Sequence, residues 1–444
     1  MLNCIIIILI FFGIVLFQLK VGRDDIINPS MVFLTYWVIL IVLGIIMYFS
    51  TYQFNYLGLY WILLMSFLFY VFYFFISKYL KKSSKSYIKT SDDIIYYSTK
   101  FLKFVPILIV IFLSLRSLGM IYYLFINNIS LKQLFNPNAF MQTIETFTLM
   151  KYKVIDSNYS SIISITNTLS LVGVELLGFY FIKLNKKRKK QLIIYAFITF
   201  LFSSIITASK SDIIFTILLF CSTFLTSIYV LKFDVYIFFM KNKRKLFSLF
   251  FIFLFFIILL MIAFIGIRSG FEKNVIDGIK QYALGMIPAF DYYFSFMRPS
   301  ELSWGVFSIL GILTFFGYNN LNLPMGIYDE INIGIGNYST NIFTAFRSII
   351  DDFGLIGCIV FFVLFGIICA LIYNNLQKHK YLNFSIACMS FMLGFILFSF
   401  IISIGNYFSI CLSYVILYFI LLSISSSKKY NLQKVKYLFQ KMKG

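Results

Sequence analysis

Long apolar runs constrain this chain more than any other feature of its sequence. A helix that crosses a bilayer needs about 20 consecutive apolar residues, and this chain contains about eleven runs near that length. The runs cover residues 3–19, 31–49, 57–77, 104–127, 161–183, 191–208, 213–231, 247–266, 355–374, 382–404 and 406–425. We therefore expect an all-α, polytopic membrane protein that forms a single integral membrane domain over residues 1–444.

The composition excludes a soluble protein and argues against a nucleic-acid binder. Hydrophobic residues make up 61% of the chain and charged residues only 12%, whereas soluble domains are about half apolar and about a quarter charged. The net charge of +21 comes from short Lys and Arg clusters between the apolar runs. Clusters in that pattern report membrane topology, whereas a nucleic-acid partner needs a basic stripe on one folded surface.

The distribution of positive charge predicts the orientation. Most of the 38 Lys and Arg residues lie in alternate connections and in the tail 426–444, which are therefore expected to be cytoplasmic. Residues 267–354 then form one large extracytoplasmic loop. Within it, residues 271–283 have the spacing of an amphipathic interfacial helix. The run 302–317 is short for a span, and we expect an interfacial or re-entrant element there.

Polar residues collect at the end of this loop, just before the apolar run that begins at Leu355. Arg347 lies four residues before Asp351, so a helix would bring the two into a salt bridge. A fixed guanidinium at the headgroup level can also grip a phosphate group with two parallel hydrogen bonds. Both interpretations of Arg347 stay open at this point.

Two further cations belong to the outer face in this topology. Arg268 follows the run 247–266, and Lys210 lies in the short turn 209–212. Each is a candidate for phosphate binding. The structural alternatives are a headgroup anchor for Arg268 and an ion pair with Asp212 for Lys210.

Arg116 lies near the middle of a predicted span, where a charge costs at least about 2.5 kcal/mol. Glu175 lies at a similar depth in another span. An Arg116–Glu175 ion pair inside the helix bundle is the structural interpretation. The functional one is a charged floor beneath an outward-facing cavity.

Neither a metal nor a cofactor is expected. The chain has one histidine, His379, which lies in a predicted cytoplasmic connection, and its six cysteines all fall in apolar runs. Asp351 and Asp352 alone are too few for a calcium or magnesium site. Chemistry at the outer face would therefore depend on Arg, Lys, carboxylate and hydroxyl groups.

A short motif gives the chain a family resemblance. An N-x-x-T pair, Asn341 and Thr344, is followed by D-F-G-x-x-G, which begins at Asp352 and enters an apolar run. Together with the many spans and the large outer loop, this resembles the oligosaccharide repeat unit polymerases, the O-antigen polymerase (Wzy) family. The turn that holds Lys210 is similar to a Ser-Arg-Gly feature of that family, with lysine in place of arginine.

The resemblance implies a GT-C-like, metal-independent glycosyltransferase in the bacterial inner membrane. Such enzymes polymerise undecaprenyl-pyrophosphate-linked repeat units of the O-antigen or capsule type at the outer face of that membrane, where a chain-length regulator can act as a partner. The expected site residues are Asp352 or Asp351 as the base, Arg347 and Arg268 at the pyrophosphate, Arg116 and Lys210 as secondary cations, and Asn341 and Thr344 as substrate-binding groups. A flippase of lipid-linked oligosaccharides and an O-antigen ligase are the alternatives.

Overall fold

The structure is a computed structural model. It describes residues 6, 9–10, 12–13, 28–82, 99–130, 161–206, 211–231, 284–297, 299, 301–318, 328, 331–333 and 339–441. The helices within these residues are α1 Pro29–Tyr48, α2 Leu57–Lys82, α3 Thr99–Ile126, α4 Ser161–Tyr180, α5 Lys186–Ile206, α6 Ser211–Leu231, α7 Met286–Phe296, α8 Leu310–Leu313, α9 Ala345–Gln377, α10 Leu382–Phe398 and α11 Phe408–Lys441. The two short strands are β1 Ile331–Asn332 and β2 Ser339–Thr340, which pair antiparallel.

Six helices in the described part of the chain are long and apolar enough to cross a membrane. They are Pro29–Tyr48, Leu57–Leu80, Leu102–Ile126, Ile162–Tyr180, Asp212–Leu231 and Ala345–Gln377, and the shorter apolar helices are Leu382–Phe398 and Phe408–Ile424. The chain is therefore a multi-pass, helical membrane protein. The predicted span 191–208 corresponds to α5, which is not among the six. The predicted span 247–266 and the amphipathic helix 271–283 lie outside the described residues, as does most of the span 3–19.

The chain divides into two compact units. The first unit takes its described residues from 1–84, 234–374 and 395–408, and the second takes them from 85–233, 375–394 and 409–444.

Aromatic rings form the centre of the first unit. Phe33 and Phe346 both stack on Phe362, with ring centroids 5.8 Å and 4.9 Å away respectively. Trp37 packs edge-on against Phe346 at 5.0 Å and donates its indole N–H to the Ser399 hydroxyl at 3.0 Å. These contacts fix the beginning of helix α9, which carries the polar residues of interest.

Close approach of helices characterises the second unit. A Cβ atom added to Gly178 of α4 would lie 2.2 Å from the Thr223 hydroxyl and 2.5 Å from the Phe220 carbonyl oxygen of α6. Small residues let membrane helices pack at this distance, where dispersion and interhelical hydrogen bonds hold them together.

Helix α9 begins earlier than the sequence predicted. The apolar run suggested a start at Leu355, but the helix begins at Ala345 and is interrupted at Gly354, where φ is +70° and ψ is −175°. That backbone conformation is essentially restricted to glycine. The polar residues before Gly354 are therefore helical and precede a sharp kink, whereas the sequence placed them in a loop.

The predicted interfacial stretch 302–317 contains no spanning helix. It holds only the single turn α8 and a 3₁₀ turn over Thr314–Phe316. The β1–β2 pair is the one departure from an all-α architecture within the described residues.

Candidate functional site

The candidate site is built around Arg347, in the first turn of helix α9. Its guanidinium carbon lies 3.9 Å from the ring centroids of both Tyr328 and Phe343 and 4.6 Å from that of Tyr293. A guanidinium at this distance from aromatic faces is stabilised by the ring quadrupoles, more strongly where water is excluded. Only 11% of the Arg347 side chain is exposed. We call Arg347 with these three rings the arginine cage.

Asp351 contacts two members of the arginine cage, Arg347 and Tyr293. Its Oδ2 lies 3.3 Å from Nε of Arg347, which is the i,i+4 salt bridge that the sequence left open as one of two interpretations. Its Oδ1 accepts a hydrogen bond from the Tyr293 hydroxyl. Tyr328 donates its hydroxyl proton to Ser348 Oγ at 3.0 Å. The hydroxyl groups of Tyr293 and Tyr328 thus each donate a hydrogen bond to an identified acceptor.

The two tyrosines of the cage stay protonated at neutral pH. Burial is the main cause, and the nearby Asp351 carboxylate adds to it; together they raise the pKa of Tyr293 and of Tyr328. Both hydroxyls therefore act as hydrogen-bond donors. The site presents one guanidinium, one carboxylate and two phenols.

Two polar atoms of this site are buried and unused. Neither Nη1 of Arg347 nor Oγ1 of Thr344 has a hydrogen-bond partner among the described residues. Thr344 lies directly before α9, and its carbonyl oxygen accepts the backbone N–H of Arg347 at 3.1 Å. A buried donor without a partner carries a desolvation cost of about 1–3 kcal/mol, more when charged, which a bound acceptor would relieve.

Asp352 has a different environment from that of Asp351. It is wholly buried, and its carboxylate accepts the backbone N–H groups of Phe307 at 3.0 Å and Ser308 at 2.7 Å. The carboxylate thus holds the chain just before α8 against the start of α9.

Asn341 is partly exposed and lies directly after β2.

Arg116 belongs to the second unit and has no unused nitrogen. Its Nε donates to Ser203 Oγ at 2.9 Å, and its two Nη atoms donate to Asn167 and to Asp212. Ser203 in turn donates to Asp212 at 3.1 Å. We call these four residues the Arg116 network; they join helices α3, α4, α5 and α6.

The predicted Arg116–Glu175 pair is wrong. Arg116 forms its ion pair with Asp212, whereas Oε1 of Glu175 accepts a hydrogen bond from Ser413 Oγ at 2.5 Å. The physical reason is reach: an arginine side chain extends several ångströms along its helix, so the depth of its Cα does not fix its partner. For Asp212, the sequence had suggested an ion pair with Lys210, as the structural alternative to phosphate binding by that lysine.

Arg268 and Lys210 lie outside the described residues. The structure therefore brings together Arg347, Asp351 and Thr344 of the predicted site, with Asp352 beside them in sequence.

Sequence reasoning missed four members of the site: Tyr293, Tyr328, Phe343 and Ser348. Tyr293 and Tyr328 come from segments separated from Arg347 by other elements, and no periodicity links them to it. Phe343, four residues before Arg347, had a usable spacing signal.

Comparison with known proteins gave no match: no family model, no curated protein and no solved structure is detectably similar to this chain.

Proposed function

We propose that this protein polymerises oligosaccharide repeat units carried on undecaprenyl pyrophosphate, at the outer face of the bacterial inner membrane. The observation that carries the proposal is the buried Nη1 of Arg347, which has no hydrogen-bond partner in the described part of the chain and is held among aromatic rings just before the apolar part of α9. A lipid-linked pyrophosphate would lie at this boundary between polar and apolar residues.

The chemistry needs a positive charge at that position. An acceptor hydroxyl of one repeat unit attacks the anomeric carbon of the donor glycan, and the bond from that carbon to the pyrophosphate oxygen breaks. The leaving pyrophosphate takes the electron pair and gains negative charge. A preorganised guanidinium in a water-poor site stabilises that charge, and charge-assisted hydrogen bonds are the strongest type available.

Of the two aspartates, Asp351 is the better candidate for the base that accepts the acceptor's hydroxyl proton. Asp352 is wholly buried and its carboxylate already accepts two backbone N–H groups. Asp351 instead faces Arg347 and Tyr293, the groups that would surround the substrate. The geometry thus supports a division of roles, with Asp352 positioning the chain and Asp351 acting on the substrate.

The test is the surface glycan of a strain in which this gene is deleted and then replaced by variants. Arg347→Ala should abolish long chains and leave single repeat units, with normal amounts of protein in the membrane. Arg347→Lys should restore little, since lysine cannot reproduce the planar, multi-donor geometry. Arg188→Ala is the matched control, because Arg188 is exposed and lies in the basic start of α5.

Other outcomes would assign other functions. A deletion strain with no repeat units at the surface would indicate a flippase. Long chains that stay on the lipid carrier would indicate a ligase. Normal chain lengths with Arg347→Ala would overturn the proposed role of the arginine cage.

A further inference from the structure

Residues 302–318, which we call the aromatic segment, expose large apolar side chains. Trp304 is 74% exposed and Phe316 is 83% exposed, and Phe315 and Tyr318 are each more than 40% exposed. The segment is short of regular structure, with one turn of α-helix and one 3₁₀ turn. Large exposed apolar patches usually mark a contact with a partner or a membrane.

One end of the aromatic segment is bonded to the kink in α9. The backbone N–H groups of Ser303 and Trp304 donate to the carbonyl oxygens of Asp351 and Asp352 at 3.0 Å and 3.2 Å. The Asp352 carboxylate holds two further N–H groups of the segment, as described above. Trp304 is therefore fixed at the position in α9 where polar residues give way to the apolar run that follows Gly354.

The other end is fixed to a second apolar helix. The ring of Phe315 lies 4.7 Å from that of Phe408, the first residue of α11. The Ser403 hydroxyl, just before that helix, donates to the Ser308 carbonyl oxygen at 2.7 Å. The aromatic segment is thus attached to α9 beside its kink and to the first residue of α11.

The start of α9 is also bonded to the connection that leads into α11. The Ala345 N–H at the start of α9 donates to the Ser399 carbonyl oxygen at 2.8 Å, and Ser399 lies in the connection that leads into α11. The aromatic segment is thus bonded to α9 where its apolar run begins and packs on Phe408, where the apolar run of α11 begins. Trp and Tyr are enriched at this level of a bilayer, where their rings meet both the acyl chains and the headgroups.

The backbone at Trp304 gives a further indication. Its φ is +51° and that of Gly305 is +98°, a left-handed conformation that a bulky residue rarely adopts. Backbone outliers of this kind persist only where the surroundings over-determine them. Here the hydrogen bonds to α9 fix the backbone, and the outcome is a tryptophan side chain that faces away from the protein.

We propose that the aromatic segment lies in the interfacial layer of the bilayer, with Trp304 and Phe316 in contact with lipid. In that position it holds Asp352 and the start of α9 at the headgroup level. The inference depends on the packing of the first unit and does not depend on the proposed polymerase activity.

Tryptophan fluorescence tests this directly, since the chain has only three tryptophans. The full-length protein is placed in lipid nanodiscs, and the spectrum of Trp304→Phe is subtracted from that of the unmodified protein to isolate the Trp304 emission. Lipids brominated on the acyl chain near the headgroup should quench that emission, and aqueous iodide should not. The same subtraction with Trp61→Phe isolates the emission of Trp61 in helix α2, which serves as the matched comparison.

A second probe covers the case in which Trp304→Phe does not fold. Phe316→Trp in the unmodified chain adds one emitter to the aromatic segment, and its added emission should respond as Trp304 does. Quenching by iodide without quenching by brominated lipid, at either position, would overturn the proposal. Insensitivity to both quenchers would also overturn it, because it would place the side chains inside protein.

Discussion

Replacement of Arg116 by methionine separates a structural role from a substrate-binding role for this residue. In the structure every guanidinium nitrogen of Arg116 donates a hydrogen bond within the second unit. Only 5% of its side chain is exposed, against 23% for its ion-pair partner Asp212. Methionine keeps an unbranched apolar side chain, but it is shorter than arginine and lacks the guanidinium and its charge. We therefore expect Arg116→Met to destabilise the protein.

The magnitude follows from the interactions that methionine cannot make. Three hydrogen bonds between membrane helices, at about 0.6 kcal/mol each, contribute about 2 kcal/mol. Removal of one partner from a buried ion pair costs about 3–5 kcal/mol, and the partial exposure of Asp212 places this case at the lower end. We expect the free energy of unfolding to fall by about 3 kcal/mol.

The assay is reversible unfolding in mixed detergent micelles, followed by circular dichroism. The double variant Arg116→Met with Asp212→Leu should recover part of the stability, because it removes both charges of the pair. Arg188→Met, at an exposed site, should change the unfolding free energy by less than about 0.5 kcal/mol. If Arg116→Met is as stable as the unmodified chain yet makes no glycan polymer, the structural account of the Arg116 network is wrong.

Two other predictions concern the first unit. Gly354→Ala should cost about 1–3 kcal/mol, because alanine is strained at the backbone angles of the α9 kink, and a lower midpoint in the same unfolding assay would show this. Asp291 lies in α7, where burial raises the pKa of its carboxyl although the Asn55 N–H, 2.8 Å from Oδ2, opposes the rise. The folded state therefore holds the proton more tightly, and the unfolding free energy should fall as pH rises from about 4 to the raised pKa and level off above it. Asp291→Asn should weaken that dependence; an unchanged pH profile would contradict the assignment.

Much of the helical architecture could be predicted from the sequence, because lipid imposes a length and a composition on every span. Each of the six long apolar helices overlaps a predicted run. The start of α9 could not be predicted in this way. Residues 345–353 are mixed in polarity, and their helix depends on aromatic packing of Phe346 with Phe33, Trp37 and Phe362, which no local pattern reports.

The candidate site was predictable only where its members are close in sequence. The spacing of Arg347 and Asp351 indicated a salt bridge as one of two interpretations of Arg347. Tyr293 and Tyr328 reach Arg347 only through the tertiary fold. Arg116 shows the converse limit: a buried charge predicts that a partner exists, but the choice of Asp212 depends on side-chain reach and helix packing.

The central claim is that Arg347 stabilises a departing pyrophosphate during glycan polymerisation, and reconstitution tests it most directly. Purified protein in lipid vesicles is supplied with repeat units on undecaprenyl pyrophosphate, without added nucleotide, and released carrier pyrophosphate and glycan length are measured together. The account predicts that the unmodified protein and Arg188→Ala both form polymer and release carrier pyrophosphate in proportion to it. Arg347→Ala should form no polymer and release no carrier pyrophosphate. Equal polymer from Arg347→Ala, or none from the stable unmodified protein, would contradict it.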